Sequence, residues 1–386
     1  MNPEDFKKST AGRCLSQPNG YWAFLPNPLP PSLDVDWELA ALLAEANARV
    51  GELSGVGRLL ANPHLLIQPY IRREAVLSSR IENTQAGMSD LFYFEADETQ
   101  ESRAPDVRDV ANYVRAMEYG LERLQTLPIS SRLVREIHMQ LMDGPHSSHA
   151  TPGEVRRTQN WIGPPGCTLM EATYVPPPVH DMAEALSDWE KYLNGTPKEP
   201  PLIQCALMHY QFEAIHPFID GNGRVGRLLI TFLLCERGLL SQPLLYLSAF
   251  FEKNRDEYYR RLLAVSQSGD WRGWIDYFLR GVAQQAKDAS ESAGAILDLN
   301  RELTERIRTE GKSPRHTLRI LERLFWNPVI SLPKLVKDLE ISYASAKRGV
   351  EYLRKLEILV EVTGRQRNRL FVAPKLVDIL IGRDLI

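Results

Sequence analysis

Between His216 and Arg227 the chain reads His-Pro-Phe-Ile-Asp-Gly-Asn-Gly-Arg-Val-Gly-Arg, a concentration of groups suited to phosphate chemistry. Pro217 cannot continue a helix arriving from its N-terminal side, so His216 stands where that helix ends. Gly221 and Gly223 reach backbone angles that other residues resist, and they bring amide N–H groups to an anion without an intervening side chain. A strongly apolar helix starts near Gly223, with its free N–H groups and positive dipole end facing back into the loop. Arg224 and Arg227, three positions apart, share a face of its first turn and add two guanidinium forks for phosphate oxygens. Asp220 suits Mg2+, which prefers a carboxylate together with phosphate oxygens. His216 titrates near neutrality and can accept a hydroxyl proton. Taken singly, each residue fits an ordinary helix-loop-helix turn with a buried histidine and surface arginines. Taken together they supply a base, a metal ligand, an amide nest and two phosphate forks.

The pattern H-P-F-x-D-G-N-G-R-x-x-R resembles the signature of the Fic family at every fixed position. That resemblance implies protein adenylyltransfer: AMP moves from ATP to a Ser, Thr or Tyr hydroxyl of a protein target, or of the chain itself, and pyrophosphate is released. It implies ATP and Mg2+ as the small-molecule requirements. His216 becomes the base and Asp220 the metal ligand. Asn222 and the amides of Gly221 and Gly223 hold the α- and β-phosphates. Arg224 and Gly226 belong to the same nucleotide site, and Arg227 takes the γ-phosphate. The related Doc toxins, which phosphorylate their target, carry Lys where this chain has Gly223, so Gly223 points to AMP transfer. Upstream, Ser78-Ser-Arg-Ile-Glu82-Asn83 resembles the family's inhibitory pattern (S/T)-x-x-x-E-(G/N). The resemblance implies that Glu82 pairs with Arg227 and blocks productive ATP binding. In some members the same Glu assists removal of AMP, so de-adenylylation is an alternative activity.

These residues need elements to hold them. Helical periodicity starts at Trp37, with Leu39, Leu42, Leu43 and Ala46 at helical spacing. Further helices are predicted over 65–81, 106–124, 131–142, 182–193, 202–215, 223–235, 250–263 and 271–294. The first thirty-odd residues, rich in Pro, Gly and Asn, read as an irregular arm, 94–106 as a loop, and 296–310 as a charged linker. Between Gly144 and His180, Asn160–Gly163 and Ala172–Val175 read as two short extended arms of a hairpin-like loop. This segment resembles the family's flap, which binds target backbone as an added strand and lays Thr173, Tyr174 and Val175 over the nucleotide. Tyr258 and Tyr259, by the same resemblance, are candidates to flank the adenine.

Apolar residues make up 44% and charged residues 25% of 386, an ordinary balance for globular domains. No stretch approaches a membrane span, the start lacks a signal-peptide pattern, and four dispersed cysteines read as reduced thiols, so a cytoplasmic protein with no membrane partner is expected. The net charge of −3 conceals an asymmetry: residues 313–386 hold 14 Lys/Arg against 8 Asp/Glu. Helices over 317–325, 333–339 and 343–356, then a β-hairpin of 359–362 and 370–372, give the order of a winged helix-turn-helix. Val336, Leu339, Ile341, Ala346, Val350 and Leu353 supply its core. Ser345, Lys347, Arg348, Arg354, Lys355 and the wing residues Arg365, Arg367 and Arg369 could meet DNA. The expected architecture is mainly α: an N-terminal helical region with the inhibitory helix (1–110), a Fic core with a β-hairpin flap (111–295) and a winged helix (313–386). A homodimer is expected. The reading from another class is a DNA-binding transcriptional regulator whose Fic core senses nucleotide.

Overall fold

The computed structural model describes residues 1–59, 62–96, 105–144, 151–196, 198–311, 313–364 and 369–381. Through Arg123 the order is β1 (Gly12–Ser16), β2 (Trp22–Pro26), α1 (Trp37–Leu59), α2 (His64–Ile81), α3 (Met88–Ala96) and α4 (Pro105–Arg123). Then come α5 (Ser131–Leu141), α6 (Val179–Asn194), α7 (Pro201–Ile215), α8 (Asn222–Glu236), α9 (Ser248–Lys253), α10 (Arg255–Ser268) and α11 (Trp271–Thr309). The C-terminal elements are α12 (Thr317–Trp326), β3 (Val329–Ser331), α13 (Leu332–Leu339), α14 (Tyr343–Lys355), β4 (Val360–Glu361), β5 (Leu370–Val372) and α15 (Pro374–Ile381). Contacts gather these into two compact units, Met1–Ser54 with Asn112–Lys287, and Gly55–Ala111 with Asp288–Ile386.

In the first unit α7 is apolar around nearly its whole circumference and buried along its length, as a central helix must be. Its neighbours are chosen to touch it closely. Trp189 of α6 and Trp274 of α11 donate their indole N–H groups to the carbonyls of Met208 and Ala206. On α8, a Cβ at Gly226 would lie 2.3 Å from Glu213 Oε1 and 3.3 Å from His209 Cε1, so the glycine leaves room for both side chains of α7. The first residues form a 3-10 turn and an antiparallel hairpin, in place of an irregular arm. The turn Gln17-Pro-Asn-Gly20 closes it, with the Gly20 N–H donating to Gln17 O at 2.9 Å and Gly20 at φ 83°. β2 then joins the flap segment through Phe24 N–H to Val175 O at 2.8 Å.

In the second unit α2 packs against α12 and α15, and α3 against β3. Arg72 of α2 pairs with Glu95 at 2.8 Å, and Asn327 donates to Phe92 O and Glu95. The three-stranded antiparallel sheet has the order β3-β5-β4. Around it stand the three helices and hairpin expected from the sequence, with β3 and α15 in addition. Ile341, Ala346, Val350 and Leu353 are buried there, while Val336 and Leu339 are half-buried. The segment read as a linker, 296–310, is instead the continuation of α11. Ile296, Leu299, Leu303 and Ile307 form a buried seam at helical spacing, and the charges occupy the other faces. Two smaller departures are that Phe94–Ala96 end α3, and that Asn254 divides the expected helix over 250–263 into α9 and α10.

Candidate active site

The loop between α7 and α8 is shaped from inside by its own side chains. His216 caps α7 in the left-handed region (φ 49°, ψ 60°), and its Nδ1 lies 3.2 Å from Glu213 O. A carbonyl can only accept, so Nδ1 of the half-buried ring carries a proton. Asn222 bridges the loop: its Oδ1 accepts from Phe218 N–H and its Nδ2 donates to Phe218 O, both at 2.8 Å. Gly221 takes φ 79° as the N-cap of α8. Asp220 is exposed, with Oδ1 accepting from Gly221 N–H at 2.6 Å and Oδ2 3.5 Å from Arg224. The Arg224 side chain is only 7% exposed, and its Nε–H has no hydrogen-bond partner among the described residues. Arg227 is buried on the same helix.

A buried guanidinium N–H without an acceptor is costly unless something fills that role. Here it stands at the N-terminus of a fifteen-residue helix, where an anion is favoured. The residues present therefore fit a phosphate group. An exposed carboxylate one turn away also fits a divalent cation held largely by phosphate oxygens.

Three residues outside the signature fix the loop to its surroundings. Arg156 is almost fully buried and donates from Nε to His216 O at 3.0 Å and from Nη2 to Pro177 O, while its own N–H meets Pro217 O at 2.8 Å. Burial pulls its pKa down to about 10, still charged at neutral pH. Asn160 donates to His216 O and Phe218 O at 3.2 and 2.7 Å. His138 of α5 stacks on Phe218, with ring centroids 3.8 Å apart and planes at 4°. Its Nδ1 accepts from Gly153 N–H at 2.9 Å, which leaves Nε2–H to donate to Asp220 O at 3.0 Å. Burial is the main reason its pKa falls to about 4. One neutral ring thus ties the start of the flap to the main chain of Asp220.

The flap is a minimal hairpin: Ile162 and Tyr174 form an antiparallel bridge, with Ile162 N–H to Tyr174 O at 2.8 Å. Thr173 is exposed and Val175 buried. Tyr174 is buried against Phe6 and Phe24, and its hydroxyl donates to Ala214 O at 2.9 Å, which seats the flap on the end of α7. Tyr258 is buried, and Tyr259 is 39% exposed beneath Arg255. His209 explains the placement of Tyr258. Burial drives its pKa down to about 3, so it is neutral. Nδ1–H donates to Gly226 O at 3.1 Å and Nε2 accepts from the Tyr258 hydroxyl at 2.8 Å.

A Fic/DOC family model matches residues 128–234, and a Fic/DOC N-terminal model matches residues 40–122. The chain belongs to the Fic/DOC family. Curated relatives of this Fic protein include the protein adenylyltransferase Fic of Drosophila grimshawi, 32% identical over 165 residues, 42% of this chain and 30% of the relative. The namesake from Drosophila yakuba is 29% identical over 201 residues, 51% and 36% of the two chains. The chain therefore spans about a third of the length of the curated relatives it matches. The crystal structure of a Fic family protein from Desulfovibrio desulfuricans G20 shares the fold: TM-score 0.55, 18% identity, covering 89% of this chain and 98% of that one.

In the second unit of this Fic protein, the segment Ser78–Asn83 ends α2. Glu82 is the C-cap and Asn83 adopts φ 69°. Asn83 N–H donates to Arg80 O at 3.0 Å and Thr84 N–H to Ser79 O at 3.1 Å, the paired bonds of a helix terminated by a left-handed residue. That conformation gives a physical reason for Asn or Gly after the glutamate. Ser78, one turn before Glu82, is fully buried.

Sequence reasoning missed His138, Arg156, Asn160 and His209. A histidine within an amphipathic helix is an ordinary core residue, and an arginine or asparagine in a polar loop is ordinarily solvated. Their partners are main-chain carbonyls and amides distant in the sequence, for which residue type gives no signal.

Proposed function

We propose that this chain is an autoinhibited protein adenylyltransferase, with its catalytic core within 111–295. His216 Nε2 accepts the proton of a target Ser, Thr or Tyr hydroxyl. The freed oxygen attacks the α-phosphorus of ATP, the bond to the bridging oxygen of the β-phosphate breaks, and pyrophosphate leaves. Arg224, Arg227 and the amides at the start of α8 offset charge on the phosphates. Asp220 would hold Mg2+, which would neutralise further phosphate charge. Thr173 on the exposed flap would set the target backbone. The observation that carries the reading is the pairing of an N-terminal helix nest with a buried Arg224 whose Nε–H has no acceptor among the described residues. Restraint through Glu82 is supported by the Ser78–Asn83 pattern.

Transfer of label from [α-32P]ATP, with the chain itself as acceptor, tests the proposal. Wild type is expected to label weakly, Glu82→Gly strongly, and Glu82→Gly combined with His216→Ala not at all. Absence of label in Glu82→Gly, or label that survives loss of His216, overturns it.

A further inference from the structure

The second unit presents a surface that the transferase reading leaves unused. α13 and α14 are joined by three residues, Glu340 to Ser342, with Glu340 turned into the left-handed region at φ 51°. Ser342 Oγ caps α14 by accepting from Ser345 N–H at 3.2 Å. Two helices joined by so short a turn form a helix-turn-helix. The inner face of α14, with Ala346, Gly349, Val350 and Leu353, is buried. A Cβ at Gly349 would lie 2.4 Å from Ile320 Cδ1, so α14 is seated hard against α12.

The outer face has a single charge character. Tyr343, Ala344, Lys347, Arg348 and Lys355 are exposed. Lys347, Arg348 and Lys355 make no ion pair among the described residues, and the acidic residue of the helix, Glu351, is engaged by Arg354 at 3.1 Å. Nothing on this helix neutralises the three cations. Tyr343, at the first turn, is 56% exposed. Arg365 and Arg367 of the expected wing lie outside the described residues, while Arg369 sits over the Phe371 ring. A cationic helix following a tight turn, with an exposed aromatic at its start, matches the charge of a phosphate backbone and the width of a major groove.

We propose that the α14 face docks duplex DNA, with Lys347 and Arg348 contacting phosphates. This goes beyond the transferase reading and does not rest on it. The test uses the full chain and a fluorescently labelled 20-base-pair duplex of mixed sequence, with binding followed by anisotropy from 50 to 200 mM NaCl. Wild type is expected to bind with an affinity that falls linearly on a log-log salt plot. Lys347→Ala with Arg348→Ala removes two phosphate contacts, so the slope magnitude falls by about 1.8 and affinity at 0.1 M salt by about 60-fold. Lys191→Ala on α6 and His216→Ala are expected to bind as wild type. No salt-dependent duplex binding, or a double variant of preserved fold that matches wild type, overturns the proposal. So does capture of a protein partner through these two residues without duplex binding.

Discussion

Acid is expected to loosen the site through two histidines that take no part in chemistry, and His138 gives the sharper test. Its folded pKa of about 4 lies below the ordinary value of 6.5, so the unfolded chain binds the proton more tightly. Stability from the neutral ring is present above about pH 6.5 and is lost as pH falls toward 4. Between pH 7 and pH 5 the two proton affinities give a loss of about 2 kcal/mol from His138. His209, depressed to about 3, adds about 2 kcal/mol in the same window by the same linkage. His138→Gln keeps a donor near Asp220 O but cannot titrate. At pH 7 it should cost about 1–3 kcal/mol, because Gly153 N–H loses its acceptor and the stack on Phe218 goes. Its further loss on acidification should be smaller than that of wild type by about 2 kcal/mol. Urea unfolding of both proteins at pH 7 and pH 5, followed by tryptophan fluorescence, measures that difference. Equal acid losses in the two proteins would refute a neutral, buried His138 bridging the flap and the loop.

Two substitutions probe how the loop is held. Asn222→Ala strands Phe218 N–H, while Phe218 O keeps Asn160 as a donor; a loss of about 1–3 kcal/mol in thermal or urea stability is expected. It should come with weaker labelling, whereas a change in labelling at unchanged stability would give Asn222 a contact with substrate alone. Gly226→Ala displaces the Glu213 carboxylate and presses on the buried His209 ring, and should cost about 1–3 kcal/mol. A stability equal to wild type in a melting curve would contradict that close contact.

The candidate site was legible as a cluster because it is written locally. His216, Asp220, Asn222, Gly223 and the two arginines lie within one loop and one helical turn, so spacing alone placed them together. The helices were legible for the same reason, including Ile341, Ala346, Val350 and Leu353 around α14. What escaped was either masked by composition or encoded at long range. The charges of 296–310 hid the Ile296–Leu299–Leu303–Ile307 seam. The Pro and Asn of Pro18-Asn19-Gly20, whose composition suggests an irregular arm, close a hairpin. Asn222 shows the other limit. The resemblance made it a phosphate ligand, while both of its polar groups turn inward to Phe218. His138 and Arg156 act through main-chain atoms, and main-chain atoms carry no letter in a sequence.

The pairing of Asn327 with Phe92 O and Glu95, and of Ser331 with Ala96 O, also sets an order of events during synthesis. The partners are 232 to 235 residues apart, and the whole segment 112–287 emerges from the ribosome between them. At bacterial or eukaryotic elongation rates that interval is on the order of ten to fifty seconds. Throughout it, the helix that ends in Glu82 exists without the strand and helices that pack its own unit. A nascent chain therefore completes the loop carrying His216 before it completes the surroundings of Glu82.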